Sequence, residues 1–447
     1  MTAKADPQDI LDKLLRAARS AGADQADGLF IESLSSSVSY RLGKLEDVER
    51  AESFDLGLRA FVGERVAFVS SADLSARGIG ELTERAVAMA RLAPEDKFAC
   101  LAPKDRLAQT WPDLDIEDRN EPSAELLIER ARTVEGAAMD VAGVTNSEGG
   151  GASFGRSAVA LATSTGFFGR YAATSHSIGV SVVAGEGTGM ETDHDSASAR
   201  HADNLESPET VGKRAGERTV ARLGPRKMKS QPMPVVYDPR VSAGLVGHFA
   251  GAISGASIAR GVSFLKDKLG EAVFASGITI VDDPHRLRGL RSKPFDGEGV
   301  RNRRMALVAN GVLKTWLLDC ASAKQLGLST TGHAARGTGG PPSPSTTNLY
   351  MEPGTQEPQA LIADIREGFY VTDLMGMGVS GVTGDYSRGA SGFFIEHGRI
   401  SYPVAGVTIA GNLKDMFRNL VPANDLVFRY GTNAPTLRVE GMTVAGA

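Results

Sequence analysis

The sequence predicts an α+β fold, with N-terminal α/β-meander lobes followed by a mostly β C-terminal domain with a few helices. Three observations carry this expectation. Helical and strand-like periodicities alternate as helix, strand meander, helix, and that order occurs twice before residue 228. Glycine is abundant, with 52 residues, and aromatics make up only 6%, which favours strands and turns over bundles of large-residue helices. Beyond about residue 270 short strand-like runs are separated by Gly- and Pro-rich stretches. The expected boundaries are 1–111 for an N-terminal α+β lobe, 112–228 for a central α+β lobe, and 229–447 for a β-rich C-terminal domain.

Element by element, Asp6-Pro7 is a helix start, with Asp as N-cap and Pro at the first helical position. Ile10, Leu11, Leu14, Leu15 and Ala18 give that helix its apolar face, and Gly22 ends it. Strands are expected at Gly28–Ile31, Ser35–Leu42, Glu52–Phe61 and Arg65–Ser71, with a hairpin turn at Val62-Gly63-Glu64. A helix over Leu74–Leu92 closes the first unit, and Ala99–Trp111 is expected to be a linker. The second unit opens near Pro122-Ser123 with a helix reaching Met139. Strands follow at Val144–Glu148, Ala152–Thr163 and Gly169–Ala184, then a helix capped by Ser207-Pro208. The repeated order hints at a duplication. Lys227–Pro234 reads as a second linker, and Val235–Tyr237 as a strand.

The next stretch, Gly244 to Gly261, reads as one helix. Leu245, Phe249 and Ile253 form its apolar row, and Gly247, Gly251 and Gly255 form a row of small residues. Glycine costs a helix about 1 kcal/mol relative to alanine, so three in register imply close approach of another backbone or a ligand. Only six of the nineteen residues from Val241 to Ala259 are large and apolar, and no basic or aromatic belt flanks them, which argues against a membrane span. Later, Leu361, Ile362 and Ile365 mark a short helix, Phe393–Ile400 a hairpin around His397-Gly398, and Asn412 caps a last helix with Leu413, Met416 and Phe417.

Composition narrows the function classes. A net charge of −5 provides no bulk attraction to nucleic acid or anionic membrane, and the only dense basic cluster is Arg301-Asn-Arg-Arg304. Cys100 and Cys320 read as free thiols, and Met1–Pro7 lacks an apolar signal core, so the expected location is the cytoplasm. Gly376-Met-Gly-Val-Ser-Gly381 matches G-x-G-x-x-G, but Val382-Thr-Gly-Asp385 does not open the apolar helix a dinucleotide site requires. There is no phosphate-binding G-x-x-x-x-G-K-[ST] loop, and Ser391 lacks the spacing of a nucleophile elbow. None of the seven histidines is spaced as in H-E-x-x-H. Glu191, Asp193, His194 and Asp195, with His201, form the one acid-and-imidazole cluster dense enough to suggest a metal, although such clusters more often form a solvated polar loop. Gly384–Gly389 reads as a loop in which Asp385 and Arg388 pair.

Several long motifs resemble the TldD/PmbA family, historically called modulators of DNA gyrase, and within it the PmbA (TldE) branch. They are Ser254–Glu271, Val281-Asp-Asp-Pro-His285, Pro294-Phe-Asp-Gly-Glu-Gly299 and Val382–Gly392. The resemblance implies a cytosolic partner of TldD-like chains, the pair forming a zinc-dependent peptidase that acts on unfolded or flexible peptides. It implies substrate bound as an added strand. In the TldD branch the helix equivalent to Gly244–Gly261 carries H-E-x-x-x-H. Here those positions fall near Val246, Gly247 and Gly251, and His248 is out of phase. No catalytic residue and no metal ligand is therefore carried over, and zinc is expected in a TldD-like partner, with none in this chain. Gly247, His248, Gly251, Ser254, Asp385, Tyr386 and Arg388 are the candidate peptide-groove or partner-interface residues. Both a homodimer and a heterodimer fit the resemblance, with no direct nucleic-acid contact and no membrane. The alternatives are an independent metallopeptidase using Asp193, His194, Asp195 and His201, or a gyrase- or DNA-associated regulatory protein.

Overall fold

The computed structural model describes residues 6–446; Met1–Ala5, on which part of the signal-peptide reading rests, and Ala447 lie outside the described residues. The first unit comprises α1 (Pro7–Ala21), β1 (Gln25–Arg41), β2 (Lys44–Val62), β3 (Arg65–Ser71) and α2 (Ala76–Leu92). The second comprises α3 (Ala124–Met139), β4 (Val144–Thr163), β5 (Phe168–Ala184), β6 (Glu191–Ala199) and α4 (Pro208–Ala221). Their strands form one six-stranded sheet in the order β3-β2-β1-β4-β5-β6. The antiparallel β1–β4 ladder runs from Asp27↔Thr163 to Tyr40↔Gly150. Strand order is thus mirrored about the β1–β4 seam, as a repeated α-β-β-β-α unit requires.

Local chemistry sets the helix ends. The Asp6 carboxylate accepts from the Gln8 amide at 3.0 Å, and Gly22 at φ 102° sends its amide back to the last turn of α1. α1 and α2 bury Leu11, Leu14, Leu82 and Ala86 against one half of the sheet, and α3 and α4 bury Leu127, Ala131, Val134 and Val211 against the other.

Several strand assignments change. Val144–Glu148 and Ala152–Thr163 are one continuous β4, whose glycine-rich middle hid it, and the strand expected at Val235–Tyr237 begins at Gln231, inside the expected linker. β1 and β2 are each continuous, joined at Leu42-Gly43, where both residues have positive φ (47° and 78°). The Glu135 carboxylate accepts the Leu42 amide at 2.8 Å and fixes that turn. The expected break within β1 and the late start of β2 reflect a serine-rich stretch and the charged run Lys44–Ser53, which is exposed throughout. Such a segment shows no alternation because neither face is buried. β6 replaces the polar loop expected at Glu191–Asp195. Ala99–Trp111 is a packed strap instead of a free linker: Leu101, Ala102 and Ala108 are buried, and the Ala108 amide donates to Gly299 at 2.9 Å.

The C-terminal region contains β7 (Gln231–Tyr237), α5 (Pro239–Ala252), α6 (Gly255–Ala259), β8 (Ile280–Asp282), β9 (Met305–Ala309), β10 (Val312–Leu313), α7 (Cys320–Gln325), β11 (Ala334–Ala335), β12 (Ser343–Pro344) and β13 (Leu349–Met351). It continues with α8 (Pro358–Ile362), β14 (Glu367–Met375), β15 (Asp385–Glu396), β16 (Arg399–Asn412), α9 (Leu413–Arg418), β17 (Leu420–Pro422), β18 (Thr432–Asn433) and β19 (Leu437–Ala445). One sheet runs β16-β15-β14-β7-β19-β17, and a further β16–β19 ladder closes it on itself. A second runs β10-β9-β8-β13-β18. α5 lies against both, and Leu245 and Phe249 enter a shared core with Tyr237, Phe274, Phe369 and Phe417. Among the described residues no helix is long and apolar enough to cross a membrane.

Candidate functional site

The helix expected over Gly244–Gly261 is two helices. α5 ends at Ala252, Ile253 leaves the helical conformation, and Ser254 is extended before α6 begins. The break comes from a distant strand-like contact. The Ile253 carbonyl accepts from the Leu317 amide at 3.0 Å, and the Leu317 carbonyl accepts from Gly255 at 2.8 Å. The Ser263 hydroxyl donates to the Ala252 carbonyl at 2.6 Å and satisfies the end of α5.

The glycine row therefore splits. At Gly255 an added Cβ would lie 2.6 Å from Leu318 Cδ2 and 2.8 Å from the Leu317 oxygen, so this position is glycine because α6 packs tightly there. At Gly244, Gly247 and Gly251 an added Cβ would meet nothing within 4 Å, and all three are exposed. The close approach expected at Gly247 and Gly251 is not made by any described residue of this chain. α5 instead presents a bare backbone face, bordered by His248.

His248 meets Tyr386 edge to face at 6.0 Å between ring centres. Burial, and then the Arg388 charge, hold the His248 imidazole below its ordinary pKa. Tyr386 is 2% exposed, and its buried hydroxyl faces that of the fully buried Tyr237. Tyr386 and Arg388 lie on β15, so the loop expected at 384–389 is mostly strand. The expected Asp385–Arg388 pair does not form. Alternation along β15 leaves Asp385 exposed, bound by Thr383 Oγ1 at 2.6 Å and Asn412 Nδ2 at 3.0 Å. Arg388 turns to the carbonyls of Met375 and Leu374 at 3.1 and 3.4 Å. Those carbonyls begin the turn between β14 and β15, which exposes Met375, Met377 and Val382, with Met377 95% exposed. The G-x-G-x-x-G stretch lies in this turn and opens no helix.

The acidic cluster on β6 is neutralised by arginines. Asp193 and Asp195 point to the buried side of the sheet, whereas His194, one residue between, has 72% of its side chain exposed. Asp193 accepts Arg240 at 2.9 Å and Arg222 at 3.5 Å. Asp195 accepts Arg218 at 2.9 Å and also Arg214. His201 Nε2 lies 2.9 Å from the Asp115 carbonyl oxygen, away from both aspartates' arginine partners. Arg240 begins α5, so this network fastens the C-terminal region to the sheet. Sequence reading missed that role because the arginines lie 19 to 47 positions away.

A catalytic zinc needs about three protein ligands. The α5 positions nearest the sister-branch motif provide none: Val246 is buried in the core, and Gly247 and Gly251 have no side chain. His248 is the one imidazole on α5 and lies near the Arg388 cation. Among the described residues, no group of three or more His, Cys, Asp or Glu side chains is placed to hold a metal. The α5 positions therefore do not offer that ion's ligand set.

Family profiles match three successive segments: PmbA/TldA metallopeptidase domain 1 over 26–90, the central domain over 117–223, and the C-terminal domain over 230–446. The chain is 38% identical over 442 residues to Metalloprotease PmbA of Escherichia coli O157:H7, covering 98% of this chain and 96% of that one. A crystal structure of a candidate modulator of DNA gyrase from Bacteroides thetaiotaomicron superposes with a TM-score of 0.92 at 26% identity, covering 99% of this chain and all of that one. TldE from Thermococcus kodakarensis shares the fold, with a TM-score of 0.87 at 21% identity over 97% of this chain and 99% of that one.

Proposed function

The chain belongs to the PmbA/TldD metallopeptidase family, and from that premise we propose that it is the TldE-type, non-catalytic subunit of a TldD-type zinc peptidase acting on unfolded peptides. One observation carries the reading: the α5 face at Gly244, Gly247 and Gly251 is open and bare and offers no metal donor. A face without side chains suits close backbone contact, either with a partner's helix or with an extended peptide. The exposed Met375, Met377 and Val382 lie on the turn leading to Tyr386 and His248 and offer adaptable apolar contact beside it. The metal and the general base belong to the TldD-like partner, and this subunit completes the groove. The location is the cytoplasm, and self-association is the alternative assembly.

The test mixes the purified chain with a TldD-like partner and an unfolded peptide. Cleavage is expected only in the mixture and is lost on adding a chelator. Chelator-sensitive cleavage by this chain alone overturns the proposal.

A further inference from the structure

The chain carries a net charge of −5, yet it gathers cations without carboxylates at one place between the sheet and the C-terminal region. A cavity of about 430 Å³ opens there, between the inner sheet face and the segment Leu290–Lys293. Its cations are Arg156, Arg200, Arg291 and Lys293, and no Asp or Glu lines it. Arg156 is paired with Glu117 at 2.8 Å. The other three have no carboxylate partner among the described residues. Arg200 donates only to backbone carbonyls, those of Thr174 at 2.8 Å, Gly289 at 3.2 Å, and Leu290. These contacts orient the guanidinium but leave its charge uncompensated. Lys293 is half-buried and forms no side-chain hydrogen bond or ion pair among the described residues; burial holds its ammonium below the ordinary lysine pKa, against the more distant pull of the Asp296 and Asp282 carboxyls.

Neutral donors complete the wall. The hydroxyls of Ser157 and Ser175, which line the cavity, have no partner among the described residues. The Tyr171 phenol, protonated at neutral pH like any tyrosine, also lines the cavity. A second cavity of about 330 Å³ shares Arg200 and Leu290 with the first and is lined by Arg286, which stacks on the Phe428 ring at 3.4 Å, and by Arg288, which is paired with Asp115 at 2.6 Å. Arg291 is exposed, so the cost of desolvation falls on the partly buried Arg200 and Lys293; desolvating a cation without an opposite charge beside it is unfavourable, and such arrangements gather where an anion is received.

We propose that this trough, centred on Arg200, Arg291 and Lys293, binds a carboxylate of an acidic, extended peptide. The ligand class rests on the peptide reading above; the anion preference rests on the trough itself. A nucleic acid is disfavoured, because the cavity has the volume of a few side chains and its cations do not track a phosphate backbone. The carboxylate comes from a glutamate side chain or from a peptide C-terminus.

The experiment is calorimetric titration of the full chain alone, so it is independent of any cleavage by an assembled pair. Four probes are used: an N-acetylated, C-amidated octapeptide of Gly and Ser with three Glu; the same peptide with Gln for Glu; the Gln peptide with a free C-terminus; and inorganic phosphate. Binding of the Glu peptide assigns the side-chain source, and binding of the free-acid Gln peptide assigns the C-terminal source. Either supports the proposal when the fully amidated Gln peptide binds at least about tenfold more weakly. Lys293→Met is expected to weaken that binding about tenfold or more, and Lys293→Arg to restore it. Equal binding of all peptides, binding of phosphate alone, no peptide binding, or affinity unchanged in Lys293→Met overturns it. Failure here with cleavage intact in the mixed pair removes the trough and leaves the subunit reading standing.

Discussion

Gly247 and Gly251 lie on the exposed face of α5, where a Cβ meets nothing within 4 Å, whereas Gly255 is enclosed by Leu317, Leu318 and Ser322. Replacing each by alanine separates helix propensity, packing and function. Gly247 is inside α5, so Gly247→Ala stabilises the isolated chain by about 1 kcal/mol. Gly251 is in the last turn, where Gly251→Ala contributes about half of that. Gly255→Ala forces a Cβ to within 2.6 Å of Leu318 Cδ2 and destabilises by about 1–3 kcal/mol. Urea unfolding followed by circular dichroism measures all three. The double variant Gly247→Ala/Gly251→Ala is then titrated against the TldD-like partner and assayed for cleavage. If a partner or peptide backbone closes on this face, the two methyl groups weaken association about tenfold while the chain itself becomes more stable. Loss of stability in Gly247→Ala would mean that the face is packed in the free chain. Gained stability with association and cleavage unchanged would refute the contact role of the bare face.

Two further outcomes follow from the buried charges joining the sheet to the C-terminal region. Asp27 is fully buried between Arg59 and Arg336, and two further guanidinium nitrogens of Arg336, Nε and Nη2, have no partner among the described residues. Asp27→Asn leaves Arg336 without a carboxylate and Arg59 with Glu298 alone, at 3.5 Å, and is expected to cost about 3–5 kcal/mol in urea unfolding; a cost below about 1 kcal/mol would contradict the ion-pair geometry. Asp296 has its pKa pushed up to about 7 by burial and then by the charge of Glu298. Its folded state therefore holds a proton that the unfolded chain releases near pH 4, so its contribution to stability is complete below that pH and is lost as pH rises through about 7. Asp296→Asn loses the bond from the Ala334 amide at every pH but is expected to flatten the decline between pH 5 and pH 8. Unfolding curves with equal pH slopes in both proteins would rule this out.

Signals local to the chain were legible in the sequence. Asp6, Ser123, Ser207 and Asn412 each cap the helix that their spacing predicts, and the α+β class holds. What failed depended on distant partners. Nothing near Ile253 signals a helix break, because the break is made by Leu317, 64 positions on. Asp385 and Arg388 lie three apart, close enough to pair in a turn, but the strand sends them to Asn412 and Met375. Asp193 and Asp195 resemble metal ligands until Arg222, Arg240, Arg214 and Arg218 are placed beside them. The cationic trough leaves no local mark in the sequence, because Arg200 lies about ninety positions from its neighbours Arg291 and Lys293, and the densest basic run, 301–304, is elsewhere.

The seam between β1 and β4 bears on how the protein is made. β1 is an inner strand of the finished sheet, yet its neighbour on one side lies 110 to 136 residues further along the chain. When residue 111 leaves the ribosome, β1 and β2 can already pair, but fourteen residues of β1, Asp27 to Tyr40, still present unpaired amides and carbonyls. Residue 163 must emerge before that ladder can be completed. At about 5–20 residues per second the interval is about 3–10 s, long compared with the microseconds in which a hairpin forms. During synthesis the N-terminal unit is therefore a nascent sheet with an open edge, exposed to mispairing with neighbouring chains until its second half arrives.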